Sequence, residues 1–213
     1  MVAGVDLLVP VKPLRVAKSR LRGSRLAGDD RAHRDLALAL VRDTVAAARE
    51  AHLVRRLLAV CSDPQAMRVL RADGAEVIPD DPDAGLNPAL RHGAGLLRAD
   101  DPAAAVGALQ SDLPALRPAE LDAALAAFAA LGGRAFCPDR AGTGSTMLLA
   151  APGVELDPRF GGGSAVAHSG SGAHRLDGPW PSLRCDVDTE ADLAVAARLG
   201  LGRHTRRLLA PGE

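Results

Sequence analysis

The chain has 213 residues, 47% hydrophobic and 24% charged, and its 26 basic and 26 acidic side chains cancel to zero net charge. That length suits a single α/β domain over 1–213 with a sizeable core, and the composition excludes a disordered chain. Zero net charge gives no support to a nucleic-acid-coating surface, and the absence of a long apolar run or an export leader argues against a membrane role and for the cytoplasm.

Cys61, Cys137 and Cys185 are far apart, odd in number and without Cys-x-x-Cys pairing. They read as small buried thiols, not as disulfides or zinc ligands. Lys12 and Lys18 are the only lysines among many arginines. With abundant Ala and no Tyr, this bias marks a GC-rich genome.

In chain order, Val5 to Val9 reads as a buried first strand ending at Pro10. After a basic loop, Arg31 to Ala51 carries Leu36, Leu40 and Ala47 at helical spacing. Leu57 to Cys61 is a second strand, Pro64 opens a helix to about Asp73, and Glu76 to Ile78 is a third strand. Asn87-Pro88 reads as an N-cap with proline at the first helical position, starting a helix to about Arg98. Val106 to Gln110 is the fourth strand, and Pro118 starts a helix that stops before Gly132-Gly133.

Ala135 to Cys137 and Thr146 to Ala150 read as strands around a Gly-rich turn. Ser164 is expected to cap a short helix through His168, and Leu183 to Val187 to form a last strand. Thr189 caps the helix that follows, with Asp192 three residues on, and Gly200 stops it; the tail after Leu201 reads as loosely held. Strands alternating with helices predict a mostly parallel sheet with helices on both faces. Ligands of such sheets bind outside the carboxyl ends of the strands, where Pro10, Asp112 and Asp186 fall.

Asp112 follows its strand in Gln110-Ser111-Asp112-Leu113-Pro114, and Asp186 and Asp188 alternate in Cys185-Asp186-Val187-Asp188-Thr189. Alternate residues of a strand point the same way, so both carboxylates can face one site. Hard oxygen donors suit magnesium, which takes one or two carboxylates together with substrate phosphates and water. For Asp188 alone a helix cap is the plainer reading. The loop with Lys12, Arg15, Lys18 and Arg20 can hold a triphosphate but lacks the P-loop pattern, and a solvated basic loop is its bland alternative. Gly142-Thr143-Gly144-Ser145-Thr146 and Gly161-Gly162-Gly163-Ser164 can each cradle an anion with backbone N–H groups, or serve only as turns. His168 reads as a structural hydrogen-bonding residue more than a catalyst, since an anionic nucleophile needs no base. Hydrolase, metalloprotease and dinucleotide-dehydrogenase motifs are absent.

Taken in order, several of these segments resemble one family. Val9-Pro10-Val11-Lys12-Pro13-Leu14 with Ala17-Lys18-Ser19-Arg20-Leu21, Gly85-Leu86-Asn87-Pro88, Ser111-Asp112-Leu113-Pro114, Gly142 to Thr146, Phe160 to Ser164 with His168, and Asp186-Val187-Asp188-Thr189 are similar to the guanylyltransferases of coenzyme F420 biosynthesis. The resemblance spans nearly the whole chain. It implies a Rossmann-like nucleotidyltransferase domain of glycosyltransferase-A type that transfers GMP from GTP to a phosphorylated three-carbon acid and releases pyrophosphate. It further implies magnesium on Asp112, Asp186 and Asp188, and GTP phosphates at Lys12 and Lys18. Pro10 and Asn87 are expected near the nucleotide, and Thr146, Gly161 and Ser164 on the acceptor. Gly162 and Ala165 stand where many relatives have Pro and Phe, a difference expected to alter the acceptor pocket. Within the family a GC-rich source points to actinobacterial members and so to phosphoenolpyruvate, with 2-phospho-L-lactate and 3-phosphoglycerate as alternatives. A molybdenum-cofactor-type nucleotidyltransferase, a nucleotide-binding regulatory module and a structural interaction protein are the rival readings. A homodimer stays open.

Overall fold

The structure is a computed structural model that describes residues 4–15, 17, 21, 29–80 and 84–210. Its elements are β1 (Val5–Val11), α1 (Asp30–Glu50), β2 (Val54–Cys61), α2 (Pro64–Ala72), β3 (Glu76–Ile78), α3 (Leu86–Asp100), β4 (Ala105–Leu109) and α4 (Pro118–Ala129). There follow β5 (Arg134–Pro138), β6 (Ser145–Ala150), α5 (Ser164–Gly170), β7 (His174–Arg175), α6 (Glu190–Leu199) and α7 (Arg203–Leu209). The strands form one sheet of seven in the order β3-β2-β1-β4-β6-β5-β7. The first four are parallel, β6 runs antiparallel to both β4 and β5, and β7 is parallel to β5. This is the expected mostly parallel α/β sheet, with one reversed strand.

Side-chain alternation along the strands creates two cores. Leu7, Val9 and Val11 of β1 join Leu57 and Ala59 of β2 and Met147 and Leu149 of β6 on one face, under Val41 and Val45 of α1 and Leu121 and Leu125 of α4. Leu8, Leu58, Val60, Val106 and Leu148 fill the other face against Leu90, Ala94 and Leu97 of α3 and Ala165 of α5. Both faces are therefore covered by helices. A Cβ on Gly107 would meet Leu149 Cδ2 at 2.5 Å and Leu7 Cδ2 at 2.8 Å, so the centre of β4 has room for no side chain.

The structure departs from the sequence reading in several places. β1 runs through Pro10 to Val11, because its pairing with β4 ends at Leu8 and Pro10 is paired only with β2. A strand open on one side tolerates the missing N–H. α3 starts at Leu86 after Gly85, whose φ of 101° suits only glycine, so Asn87 lies inside the helix and is not its cap. Ser164 is likewise the first helical residue of α5, behind Gly163 at φ 71°. Leu183 to Val187 is turn and irregular chain, not a strand.

The tail after Leu201 is not loose over its described residues, which reach Ala210. It forms α7, which docks on α1 through Asp43. The Asp43 carboxylate, 4% exposed, accepts the His204 and Thr205 N–H groups at 2.8 Å each, so a side chain of another helix caps α7. Gly202 stands at the cap because a Cβ there would collide with the Asp43 carboxylate. Asp43→Ala leaves two buried N–H groups without an acceptor and is expected to cost about 1–2 kcal/mol. It should lower the melting temperature by several degrees in calorimetry, whereas a solvent-exposed substitution such as Arg91→Ala should not.

Candidate active site

One polar cleft of about 420 Å³ opens beside the carboxyl ends of β1 and β4. Lys12, Gln110, Asp112, Asp186 and Asp188 line it together with both Gly-rich segments, through Thr143, Gly144 and Ser145 and through Gly161, Gly162, Gly163 and Ser164. Segments far apart in sequence thus meet in a space of the size that holds a small ligand.

Asp112 is positioned by its backbone neighbours. Thr44 of α1, 0% exposed, accepts the Leu113 N–H on Oγ1 at 2.9 Å and shares its one hydroxyl proton between the Ser111 carbonyl at 3.1 Å and the Leu40 carbonyl of its own helix at 3.0 Å, framing Asp112 on both sides. The Asp112 carbonyl in turn accepts the Val187 N–H at 3.0 Å. That bond ties the loop after β4 to the segment carrying Asp186 and Asp188.

No strand forms there, yet the alternation survives. Cys185 and Val187 are 0% exposed in a core shared with Leu193 and Ala196 of α6, while Asp186 and Asp188 border the cleft. Thr189, not Asp188, is the N-cap of α6, in a capping box with Asp192. The cap reading of Asp188 is thereby removed.

Among the described residues, no group of three His, Cys, Asp or Glu side chains is gathered closely enough to hold a metal alone. The cleft's aspartates are hard oxygen donors, the chemistry that suits magnesium or a similar cation when phosphate oxygens and water complete the shell.

The two Gly-rich loops play different parts. In the β5–β6 turn the N–H groups of Thr143 and Gly144 donate to the Asp139 carboxylate at 2.9 and 2.8 Å, so they are spent inside the turn. A Cβ on Gly144 would lie 2.5 Å from Asp139 Oδ2, which is why glycine is needed there. The turn also accepts the Ala165 N–H on the Thr143 carbonyl at 3.1 Å, locking α5 against it. Gly161 to Gly163 instead are exposed, and Gly162 has open space around it without an unusual φ.

The resemblance implies Thr146 for the acceptor, whereas the residue of this strand that borders the cleft is Ser145. β5 and β6 shift register between Cys137 and Pro138, pairing Cys137 with Met147 but Pro138 with Ser145. Thr146 is the extra residue, and a bulge of this kind re-aims the side chains around it. Thr146 turns its hydroxyl toward the Cys137 thiol and does not border the cleft, whereas Ser145 does. Ser145 Oγ lies 2.9 Å from His168 Nδ1, and His168 Nε2 accepts the Arg159 N–H at 3.0 Å. His168 is fully buried between Phe136 and Phe160, and burial pushes its imidazole down to about 4, so it is neutral at physiological pH.

Of the other expected residues, Lys12 is exposed at the cleft, and Lys18 lies outside the described residues. Pro10 is buried within β1 and does not border the cleft. Asn87 uses its side-chain amide on backbone, donating to the Phe160 carbonyl at 3.0 Å and accepting the Phe160 N–H at 2.9 Å. It clasps the start of the Gly161 loop to α3. The three cysteines are buried free thiols, and burial pushes Cys61 and Cys137 up to about 11. No helix among the described residues is long and apolar enough to cross a membrane.

Residues 22–160 match the MobA-like NTP transferase domain family, a match that begins just after the basic loop. A protein of Salinispora arenicola named phosphoenolpyruvate guanylyltransferase is 54% identical over 95% of this chain and 92% of its own. One of the same name from Streptomyces scabiei is 51% identical over 97% of this chain and 98% of its own. Among solved structures, a candidate nucleotide-diphospho-sugar transferase from Desulfovibrio desulfuricans G20 shares the fold at a TM-score of 0.67 and 20% identity, covering 96% of this chain and 91% of that one. The Rv0371C protein of Mycobacterium tuberculosis, solved in complex with manganese, shares it at 0.55 and 22% identity, covering 92% and 99%. The fold is that of the nucleotidyltransferases, and the chain belongs to the phosphoenolpyruvate guanylyltransferase family within the MobA-like NTP transferases.

Proposed function

We propose that this chain transfers GMP from GTP to phosphoenolpyruvate, releasing pyrophosphate, as a step of coenzyme F420 biosynthesis. The observation that carries this reading is the meeting of Lys12, Asp112, Asp186 and Asp188 with the Gly161–Ser164 loop in one cleft. The names of relatives about half identical supply the guanine and the acid.

In the reaction a phosphate oxygen of the acceptor attacks the α-phosphorus of GTP. The new oxygen–phosphorus bond forms as the bond to the β-phosphate oxygen breaks, and the electron pair leaves with pyrophosphate. The nucleophile is already an anion, so no side chain has to take a proton. This agrees with a fully buried, neutral His168.

Lys12 supplies positive charge to the triphosphate. Asp112, Asp186 and Asp188 are the residues that would hold magnesium, and the bound ion supplies neutralisation of phosphate charge. The protein's own part is to hold both substrates in line by fixing Asp112 and the acceptor loop. Lys18 fits the same triphosphate role by its place in the basic loop.

Purified protein with GTP and magnesium should release pyrophosphate when phosphoenolpyruvate is added. Release only with 2-phospho-L-lactate or 3-phosphoglycerate would move the acceptor and keep the chemistry; none with any acid would sink the reading. Asp112→Asn should lower kcat/KM by roughly 100-fold without lowering the melting temperature. Thr44→Val, which leaves the Ser111 carbonyl and the Leu113 N–H unpaired, should lower kcat/KM about tenfold and raise the magnesium concentration for half-maximal rate. Thr44→Ser should restore both, and an unchanged magnesium dependence in the folded valine variant would refute a role for Thr44 in fixing Asp112.

A further inference from the structure

His33, in the first turns of α1, is 1% exposed and does not line the cleft. Its Nε2 lies 2.6 Å from the Ala17 carbonyl. A carbonyl only accepts, so Nε2 carries the proton of that bond. Nδ1 is buried and has no hydrogen-bond partner among the described residues. An interior nitrogen left unpaired weakens the fold, so stability alone would favour an apolar side chain at this position. What the imidazole adds is one bond, to the carbonyl of the peptide that leads into Lys18.

A second tether holds the other end of the same segment. β1 and β2 run parallel with Val11 beside Cys61, so the loops that leave them start side by side. Asp63, two residues past β2, divides its carboxylate between two tasks. Oδ1 accepts the Gln65 and Ala66 N–H groups at 3.0 and 3.1 Å and caps α2, while Oδ2 accepts the Leu14 N–H at 2.9 Å. Between the tethers the Ala17 N–H reaches back to the Pro13 carbonyl at 3.0 Å and closes a turn, and the Leu14 side chain is buried in the core. Pro13 to Ala17 is thus clamped by α1 and by the cap of α2. Lys12 precedes this turn and Lys18 follows it, and the chain has no other lysine.

We infer that His33 and Asp63 are positioning residues for the triphosphate, holding the turn between Lys12 and Lys18 in place before GTP arrives. A loop ordered in advance removes the entropy of ordering it from the binding step. Neither residue lines the cleft, so both act through the lysines. This rests on the reading of Lys12 and Lys18 as phosphate-binding residues in guanylyl transfer, and adds to it what fixes them.

The test is calorimetric binding of GTP and of GMP to the full chain with magnesium, beside pyrophosphate release. His33→Leu should raise Kd and KM for GTP about tenfold, roughly the loss of one hydrogen bond to a charged group. Kd for GMP, which lacks the outer phosphates, and KM for phosphoenolpyruvate should stay within about twofold. His33→Gln, whose amide can offer an N–H where Nε2–H stood, should recover most of the GTP affinity. Asp63→Ser keeps a capping oxygen for α2 but has no second oxygen for Leu14, and should weaken GTP and not GMP in the same way. With Lys12 and Lys18 both replaced by Ala, His33→Leu should add less than about twofold, because the lysines carry its effect.

Melting curves on each variant separate these effects from unfolding, and Asp63→Ser carries the comparison where His33→Leu does not fold. Folded variants with unchanged GTP affinity, or with GTP and GMP weakened equally, would overturn the inference. So would a His33→Leu effect that persists in full without the two lysines. A wild-type protein that binds GTP but releases no pyrophosphate with any acid would overturn guanylyl transfer, while the comparison of GTP with GMP still decides whether the clamp serves the triphosphate.

Discussion

Where β4 ends at Leu109, the chain leaves the sheet for a loop half-buried from Gln110 to Asp112 and buried from Leu113 to Leu116, and its backbone groups must find partners without a ladder. Each partner comes from a different part of the molecule. The Gln110 N–H goes to the Thr146 carbonyl at the bulge, Ser111 and Leu113 go to Thr44 of α1, and the Asp112 carbonyl takes the Val187 N–H. The Pro114 carbonyl takes the Gly202 N–H before α7, and the Arg117 N–H goes to Ser182 Oγ. The requirement to satisfy one largely buried loop therefore draws β6, α1, the Asp186 segment and the C-terminal helix to a common point. Asp112 sits at the centre of that convergence.

Charge is sorted locally although it cancels overall. The cleft brings Asp112, Asp139, Asp186 and Asp188 to face Lys12. Asp139 is committed to the N–H groups of its own turn, which gives it a structural role beside the three aspartates proposed to meet the ligand. The same separation runs through the glycine-rich segments. One turn closes on itself and braces α5, while the other leaves its glycines exposed at the cleft.

Much of this is legible in the sequence because it depends on period and on local chemistry. Apolar runs gave six strands and most helices to within a few residues, since alternation and capping are encoded where they act. The Thr189–Asp192 box is such a case. What escaped depends on partners distant in sequence. Asn87-Pro88 looks like a helix start, but Gly85 makes the turn and Phe160, 73 residues away, claims the amide. Leu183 to Val187 has the apolar alternation of a strand without a neighbour to pair with. Asp43 caps a helix 161 residues on, so nothing near the C-terminus announced it. The choice between Ser145 and Thr146 turns on a single bulge, which no side-chain pattern reports.

The Gly161–Gly163 loop has one position unlike its neighbours. Gly161 and Gly163 hold φ values of 139° and 71°, which tie them to glycine, but Gly162 has an ordinary backbone and empty space around it. The backbone there accepts a side chain at no steric cost, at the edge of the cleft and away from every core contact. Residue 162 can thus vary from one lineage to another while the fold and the aspartate-lined half of the cleft are kept, giving selection an adjustable wall whose size and shape can be retuned one substitution at a time.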